Sequence, residues 1–490
     1  MVGGNISHLS VSYLSCKIEF HHRERNTVGT ELCVDDFVRD SQRTTGNSTK
    51  RSVGAILFAV SPAPGHVNPM LTIARYLRDR GHSIIFYTAE VFRRQVEAAN
   101  LHFISFSGFA NFDYRHLDEA FPERKNFEPG PDQLAHDFKH AFGKPIPDQY
   151  RGIRQIMEET KIDLILTDVT FMGAFPLLLG PREVRPPVIS CGITTMFLSS
   201  SDTSPFSFPD SSSAGRTQNV KDNQRFQAMF RPVQDYMNQV LSDSGATAMP
   251  GFFMDCWYTL PDLFLQFTAP AFEYLRSDMP STVEYVGPIL PQAPADFRPP
   301  DWWKALDGSK PVVLVTQGTI ANTDLDELIG PTLAGLSTED VTVIAATGRA
   351  DGALAAPVPS NAIVAPYIPF SELLPKVDVF VTNGGYGAVN QALSHGVPVI
   401  VAGESEDKAF VAARIAWTGA GINLATSRPS PEKVRSAVRQ VLNGVTYRTK
   451  ARALRRDFAR YSALERINWH VDSFLGNRRA AVARCTPSNA

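Results

Sequence analysis

The chain has little excess charge of either sign, few cysteines, no long apolar run and no common nucleotide-binding fingerprint, and each shortage closes off a class of function. Its 48 basic residues face 50 acidic ones, a formal net charge of −2, so no basic field exists to hold nucleic acid or an anionic membrane surface. Five cysteines (Cys16, Cys33, Cys191, Cys256, Cys485) are scattered without C-x-x-C spacing, which argues against a disulfide scaffold or a cysteine-rich zinc site. Apolar stretches such as Asp163 to Gly180 are interrupted by charge or proline and fall short of a bilayer span. His8, Lys17, Glu19, His21 and Arg23 break up the N-terminus, which therefore lacks the apolar core of a signal peptide. Neither G-x-G-x-x-G nor G-x-x-x-x-G-K-[ST] occurs, so neither a nicotinamide or flavin domain nor a P-loop is expected. A cytoplasmic protein is expected, with no nucleic-acid partner and no stable membrane insertion.

With 43% hydrophobic and 20% charged residues, the chain can bury substantial cores. The polar, unpatterned stretch from Asp40 to Ser52 makes residues 1–52 an expected flexible leader. From Gly54 onward short apolar runs alternate with helical periodicity. Ala55 to Val60, Ser83 to Thr88, Phe103 to Phe106 and Lys161 to Thr167 are expected strands, apolar throughout because a parallel sheet is buried on both faces. Asn68-Pro69 suits an N-cap and first helical residue. Leu290 to Pro300 holds four prolines in eleven residues and is expected as a linker. The alternation then restarts at Val312 to Thr316, Thr342 to Ala346, Ala362 to Ala365, Val377 to Val381 and Val397 to Ala402. The expected fold class is α/β, two doubly wound parallel-sheet domains in tandem facing a cleft.

Two strand ends carry chemistry. Asn383-Gly384-Gly385-Tyr386-Gly387 joins a strand to a helix beginning near Ala388, and a glycine-rich turn there exposes backbone N–H groups at the positive end of the helix dipole, a site for phosphate. Thr316-Gln317-Gly318-Thr319 ends another strand, and a hydroxyl beside a glycine suits a second phosphate contact. In the first half His66 sits on the turn after the first strand, where α/β sheets place functional groups. An imidazole titrates near neutrality and can take a proton from a hydroxyl. Asp168, after another strand, could hold its second ring nitrogen. His136 and His140 have the i, i+4 spacing of a zinc pair, but no third ligand is apparent and no metal is expected.

Gly65-His66-Val67-Asn68-Pro69 and the stretch from Val364 to Gly421 resemble the signatures of the family 1 nucleotide-sugar glycosyltransferases of the GT-B fold, within them the macrolide and natural-product enzymes. The likeness spans roughly residues 54–475. It implies an acceptor-binding domain at 53–289, a linker at 290–305, a donor-binding domain at 306–455, a helix at 456–476 crossing back to the first domain and a tail at 477–490. It implies His66 as general base assisted by Asp168, Tyr367 and Ile368 at the nucleobase, and Gly318, Thr319, Asn383, Gly384, Gly385, Gly387 and Ala388 at the diphosphate. Gln391 falls at the ribose, and Asp407 and Lys408 at the transferred sugar. Four of these depart from the family pattern: Asn383 replaces a histidine, Ala388 a serine, Gln391 a glutamate and Lys408 a glutamine.

The resemblance implies an inverting, metal-independent transfer of a hexose, glucose first, from a UDP-sugar to a hydroxyl of a lipophilic small molecule, as in secondary metabolism. The donor is a co-substrate, and no cofactor is implied. The competing reading is a catalytically impaired nucleotide-sugar-binding or auxiliary subunit, favoured by Asn383, Ala388 and Gln391. The choice of UDP or dTDP, the acceptor and the oligomeric state stay open.

Overall fold

The computed structural model describes residues 53–485 apart from 129, 292, 294, 295, 319–321, 323, 350–353 and 355. The expected leader at 1–52 and the site residue Thr319 lie outside the described residues.

Two all-parallel sheets form the frame. The first has seven strands in the order β3-β2-β1-β4-β5-β6-β7. They are β1 (Ala55–Ala59), β2 (Ser83–Thr88), β3 (His102–Ser105), β4 (Leu164–Asp168), β5 (Val188–Gly192), β6 (Leu263–Gln266) and β7 (Val283–Tyr285). The second has six in the order β10-β9-β8-β11-β12-β13, namely β8 (Val312–Thr316), β9 (Thr342–Ala346), β10 (Ala362–Ala365), β11 (Val379–Thr382), β12 (Val399–Val401) and β13 (Gly421–Asn423). The apolar runs become strands because both faces are covered: every residue of β4, β5, β8 and β11 is buried. Each chain order reverses at one place, between β1 and β4 and between β8 and β11. Such a reversal opens a crevice beyond the carboxyl ends of the strands, where α/β folds bind ligands.

Six helices matter for the site: α1 (Pro64–Arg78), α2 (Ser213–Met229), α3 (Arg231–Asp243), α4 (Tyr386–Ser394), α5 (Lys408–Thr418) and α6 (Ala463–Cys485). The last follows the second sheet but packs on the first. Its Ile467, Val471 and Leu475, four residues apart and so on one helical face, are buried in the core of the N-terminal sheet. Gly54 allows that approach, since a Cβ there would stand 2.7 Å from Leu475 Cδ2.

Several expectations need correcting. The helix after β1 does not begin at Asn68-Pro69. Pro64 takes the first turn, where its fixed φ and missing N–H cost nothing, and Pro69 lies inside the helix. His66 is therefore a first-turn helix residue rather than a loop residue. The strand at Lys161 to Thr167 begins only at Leu164 and includes Asp168. The helix expected from Ala388 starts two residues earlier, at Tyr386. Strands β5, β6, β7 and β13 carried no expectation. Val188–Gly192 follows two prolines, while β7 and β13 are three residues each, too short to show a pattern.

Candidate active site

The reversal in the first sheet brings β1 and β4 side by side, with Ala59 paired to Thr167. The next residues along each strand carry the chemistry. His66 Nδ1 lies 2.8 Å from Asp168 Oδ1. Asp168 Oδ2 accepts the Ser61 backbone N–H at 2.6 Å, and Oδ1 accepts the Thr170 N–H at 3.0 Å. The Thr170 hydroxyl stands 2.7 Å from Oδ1 and 3.0 Å from Ser61 Oγ. Burial alone would raise the Asp168 carboxyl, but His66, the Ser61 N–H and Thr170 more than offset it, and it ends below the usual range. An ionised carboxylate on Nδ1 assigns the Nδ1–H tautomer and leaves Nε2 as the nitrogen able to take a proton. Ser61 and Thr170, which hold the aspartate, were not singled out from sequence. Their small hydroxyl side chains carry no signal until the strands are aligned.

On the second sheet, Thr382 pairs with Thr316 across the β8/β11 reversal. This sets Gln317-Gly318 beside Asn383-Gly384. Gly318 and Gly384 both adopt positive φ, +73° and +98°, which side chains other than glycine rarely tolerate. Helix α4 starts just beyond, with Gly385 at its N-cap and no side chain satisfying its first amides, so those N–H groups remain for an anion. Asn383 and Gly384 are buried, while Gly387 is exposed and Ala388 half-buried. The Asn383 amide donates to the Gln317 carbonyl.

Tyr367, Ile368 and Gln391 line one cavity of about 220 Å³, together with Phe370 and Pro291. Tyr367 is 68% exposed, a ring with a free face beside the site. Asp407 accepts a hydrogen bond from Thr194, beyond the end of β5, and burial raises its carboxyl above the usual range. Lys408 does not project openly. It is 5% exposed and donates to Ser405 Oγ at 3.0 Å and to Glu406.

The two sheets meet along a polar seam. Gln266 Nε2 donates to Tyr386 OH at 2.8 Å, and the Thr268 hydroxyl donates to Asn390 Oδ1 at 2.7 Å, which ties both ends of the anion-facing turn of α4 to the first sheet. Arg414 on α5 pairs with the buried Glu273 at 2.7 Å. Glu406, next to Asp407, pairs with Lys408, which holds its carboxyl below the usual range despite burial. Sequence reading passed over Glu406.

His136 and His140 stack at 4.3 Å between ring centroids, but Asp137 beside them pairs with Arg124 at 2.8 Å. Among the described residues, no three His, Cys, Asp or Glu side chains gather in a metal-binding cluster.

Residues 331–465 match the family described as Erythromycin biosynthesis protein CIII-like, C-terminal domain. The chain is 36% identical over 432 residues to UDP-glycosyltransferase 2 of Phaeomoniella chlamydospora, covering 85% of this chain and 95% of that one. It is 38% identical over 414 residues to 4'-demethylrebeccamycin synthase of Lentzea aerocolonigenes, covering 84% and 96%. The crystal structure of CalG4, the calicheamicin glycosyltransferase, superposes with a TM-score of 0.66 at 22% identity, over 86% of this chain and 98% of that one.

Proposed function

The chain belongs to the family 1 nucleotide-sugar glycosyltransferases of the GT-B fold, and from that premise we propose that it transfers a hexose, with inversion, from a nucleoside-diphosphate sugar to a hydroxyl of a lipophilic natural product. The observation that carries this reading is the His66–Asp168 pair at the mouth of the first sheet, facing a second sheet whose strand ends offer anion-binding turns. In this mechanism His66 Nε2 takes the acceptor's proton as its oxygen attacks the anomeric carbon. The nucleoside diphosphate departs from the opposite face with the bonding pair. The transition state is oxocarbenium-like, by analogy with glycoside chemistry. Asp168 stabilises the imidazolium, and the first amides of α4 offset charge growing on the leaving diphosphate. The acceptor reading draws support from the relative named for rebeccamycin.

The test is a panel of nucleotide sugars, UDP-glucose first, against one promiscuous phenolic acceptor, with products weighed by mass spectrometry. A glycosylated product supports the reading. Donor binding without product for every sugar favours the impaired subunit instead, a reading supported by the Asn383 amide being spent on Gln317. Because backbone dipoles rather than a metal carry the leaving-group charge in this mechanism, EDTA is expected to leave the rate unchanged. Strict dependence on Mg²⁺ or Zn²⁺ would overturn the metal-free step.

Gln391 lines the cavity with Tyr367 and is the proposed ribose contact. A charged acceptor bonds a hydroxyl more strongly than a neutral amide, by about 1 kcal/mol or more. Gln391→Glu is therefore expected to tighten UDP-sugars several-fold and dTDP-sugars far less, since deoxyribose offers one hydroxyl fewer. Equal effects on both, measured by calorimetric titration, would show that Gln391 does not read the 2′-OH.

A further inference from the structure

Lys408 is expected near sugar hydroxyls, yet its surroundings are those of a charge kept in store. Its stem runs beneath two turns that admit no side chain. A Cβ on Gly403 would stand 1.9 Å from the Asn383 carbonyl oxygen and 3.1 Å from Lys408 Cδ. One on Gly384 would stand 2.7 Å from Val401 Cγ1 and 3.5 Å from Lys408 Cβ. The stem thus packs under the β11 and β12 strand-end turns, and its ammonium is held by Ser405 and Glu406. With Gln317, Asn383 and Ser405 it lines a polar cavity of about 20 Å³, room for roughly one water.

Its partner is equally unusual. Glu406 holds φ +55°, a left-handed backbone that costs a non-glycine residue free energy and persists only where surrounding contacts enforce it. The Lys408 pair supplies such a contact. Burial pushes the Glu406 carboxyl up, but Lys408 outweighs that and it ends below the usual range.

The helix end behind these turns offers only a partial charge, about half an elementary charge. Asn383 brings none, and its amide is turned to Gln317. Resting on the glycosyltransferase reading, we infer that Lys408 is the cation that receives the donor's diphosphate, and that Glu406 is a resident anion which the diphosphate displaces from it. The residue pair replaces a charge that the strand-end turn itself lacks. It also makes an empty site electrically balanced, so that donor affinity is set by the difference between two anions competing for one ammonium.

Calorimetric titration of the full chain with UDP alone, at low and high salt, tests this. Lys408→Met is expected to weaken UDP about tenfold to a hundredfold, the scale of one lost hydrogen bond to a charged group, and to flatten the salt dependence. Glu406→Gln is expected to do the opposite and tighten UDP several-fold, because the competitor is gone. A pair that merely holds the fold predicts weaker binding from both substitutions, or no change from either, and both results overturn the inference. Unchanged UDP affinity in Lys408→Met overturns it even if UDP-sugar affinity falls, since that would return Lys408 to the sugar. If Lys408→Met fails to fold, Glu406→Gln decides alone: tighter binding supports the exchange, equal or weaker binding overturns it. The two readings fail separately. Wild-type protein that binds no nucleoside diphosphate sinks the glycosyltransferase reading and this inference with it, whereas wild-type binding and transfer with an indifferent Lys408 sinks only the inference.

Discussion

His66→Ala is expected to bind the donor as before and turn over roughly 10²–10⁴-fold more slowly, the range ascribed to a positioned general base. The expectation rests on where the imidazole stands. Its Nδ1 is committed to Asp168 at 2.8 Å, and Asp168 is itself locked by the Ser61 and Thr170 amides, so the ring presents Nε2 in one orientation. The alanine variant loses the proton acceptor and nothing on the second sheet, which is why donor affinity is the internal control. Asp168→Asn is expected to lose less, because the base remains while its tautomer and imidazolium lose their partner. Turnover measured at saturating donor decides the matter, and a His66→Ala rate near wild type would remove His66 from the mechanism.

Arg414→Ala is expected to cost about 3–5 kcal/mol of stability, the loss typical when one partner of a buried ion pair is removed. Arg414 is 2% exposed. Its guanidinium reaches Glu273 Oε2 at 2.7 and 2.8 Å and the Met196 carbonyl at 3.1 Å. Glu273 Oε1 in turn accepts the Met196 N–H at 3.0 Å. Removing the arginine leaves a fully buried carboxylate without its paired cation. The pair also joins α5 of the second sheet to the loops after β5 and β6 of the first, so calorimetry of the variant should resolve two unfolding transitions where the native chain shows closer coupling. The double variant Glu273→Gln/Arg414→Met should recover most of the loss, since replacing both charges avoids the orphaned ion. A single-variant loss below about 1 kcal/mol would show that water reaches Glu273 and that the seam is not dry.

The local patterns in the chain carried much of this architecture. Val312 to Thr316, Thr342 to Ala346 and Ala362 to Ala365 were legible to the residue as β8, β9 and β10; β8 and β9 are apolar because they are buried on both faces, whereas β10 is an apolar but half-buried edge strand. Gly384 marked a strand-to-helix turn because few other residues accept its φ of +98°. The start of α1 was misread because Asn68-Pro69 and Ala63-Pro64 are both acceptable helix openings locally. Only the packing of the following turns against β1 and β2 selects the earlier one.

What the sequence determined by itself was therefore whatever depends on neighbours along the chain: two alternating α/β halves, a histidine after the first strand, a glycine turn at a later strand end, and a family likeness spread over both. What only the tertiary structure decided depends on residues brought together from far apart. Sheet order sets β4 against β1, and so Asp168 and Thr170 against His66 and Ser61. The β8/β11 pairing sets Gln317 against Asn383. The approach of the two sheets buries Arg414 on Glu273. From the chain Lys408 reads as a cation beside the transferred sugar. Buried beneath Gly403 and paired with Glu406, it is a desolvated cation, and desolvation is a property of the packed fold that no local pattern encodes.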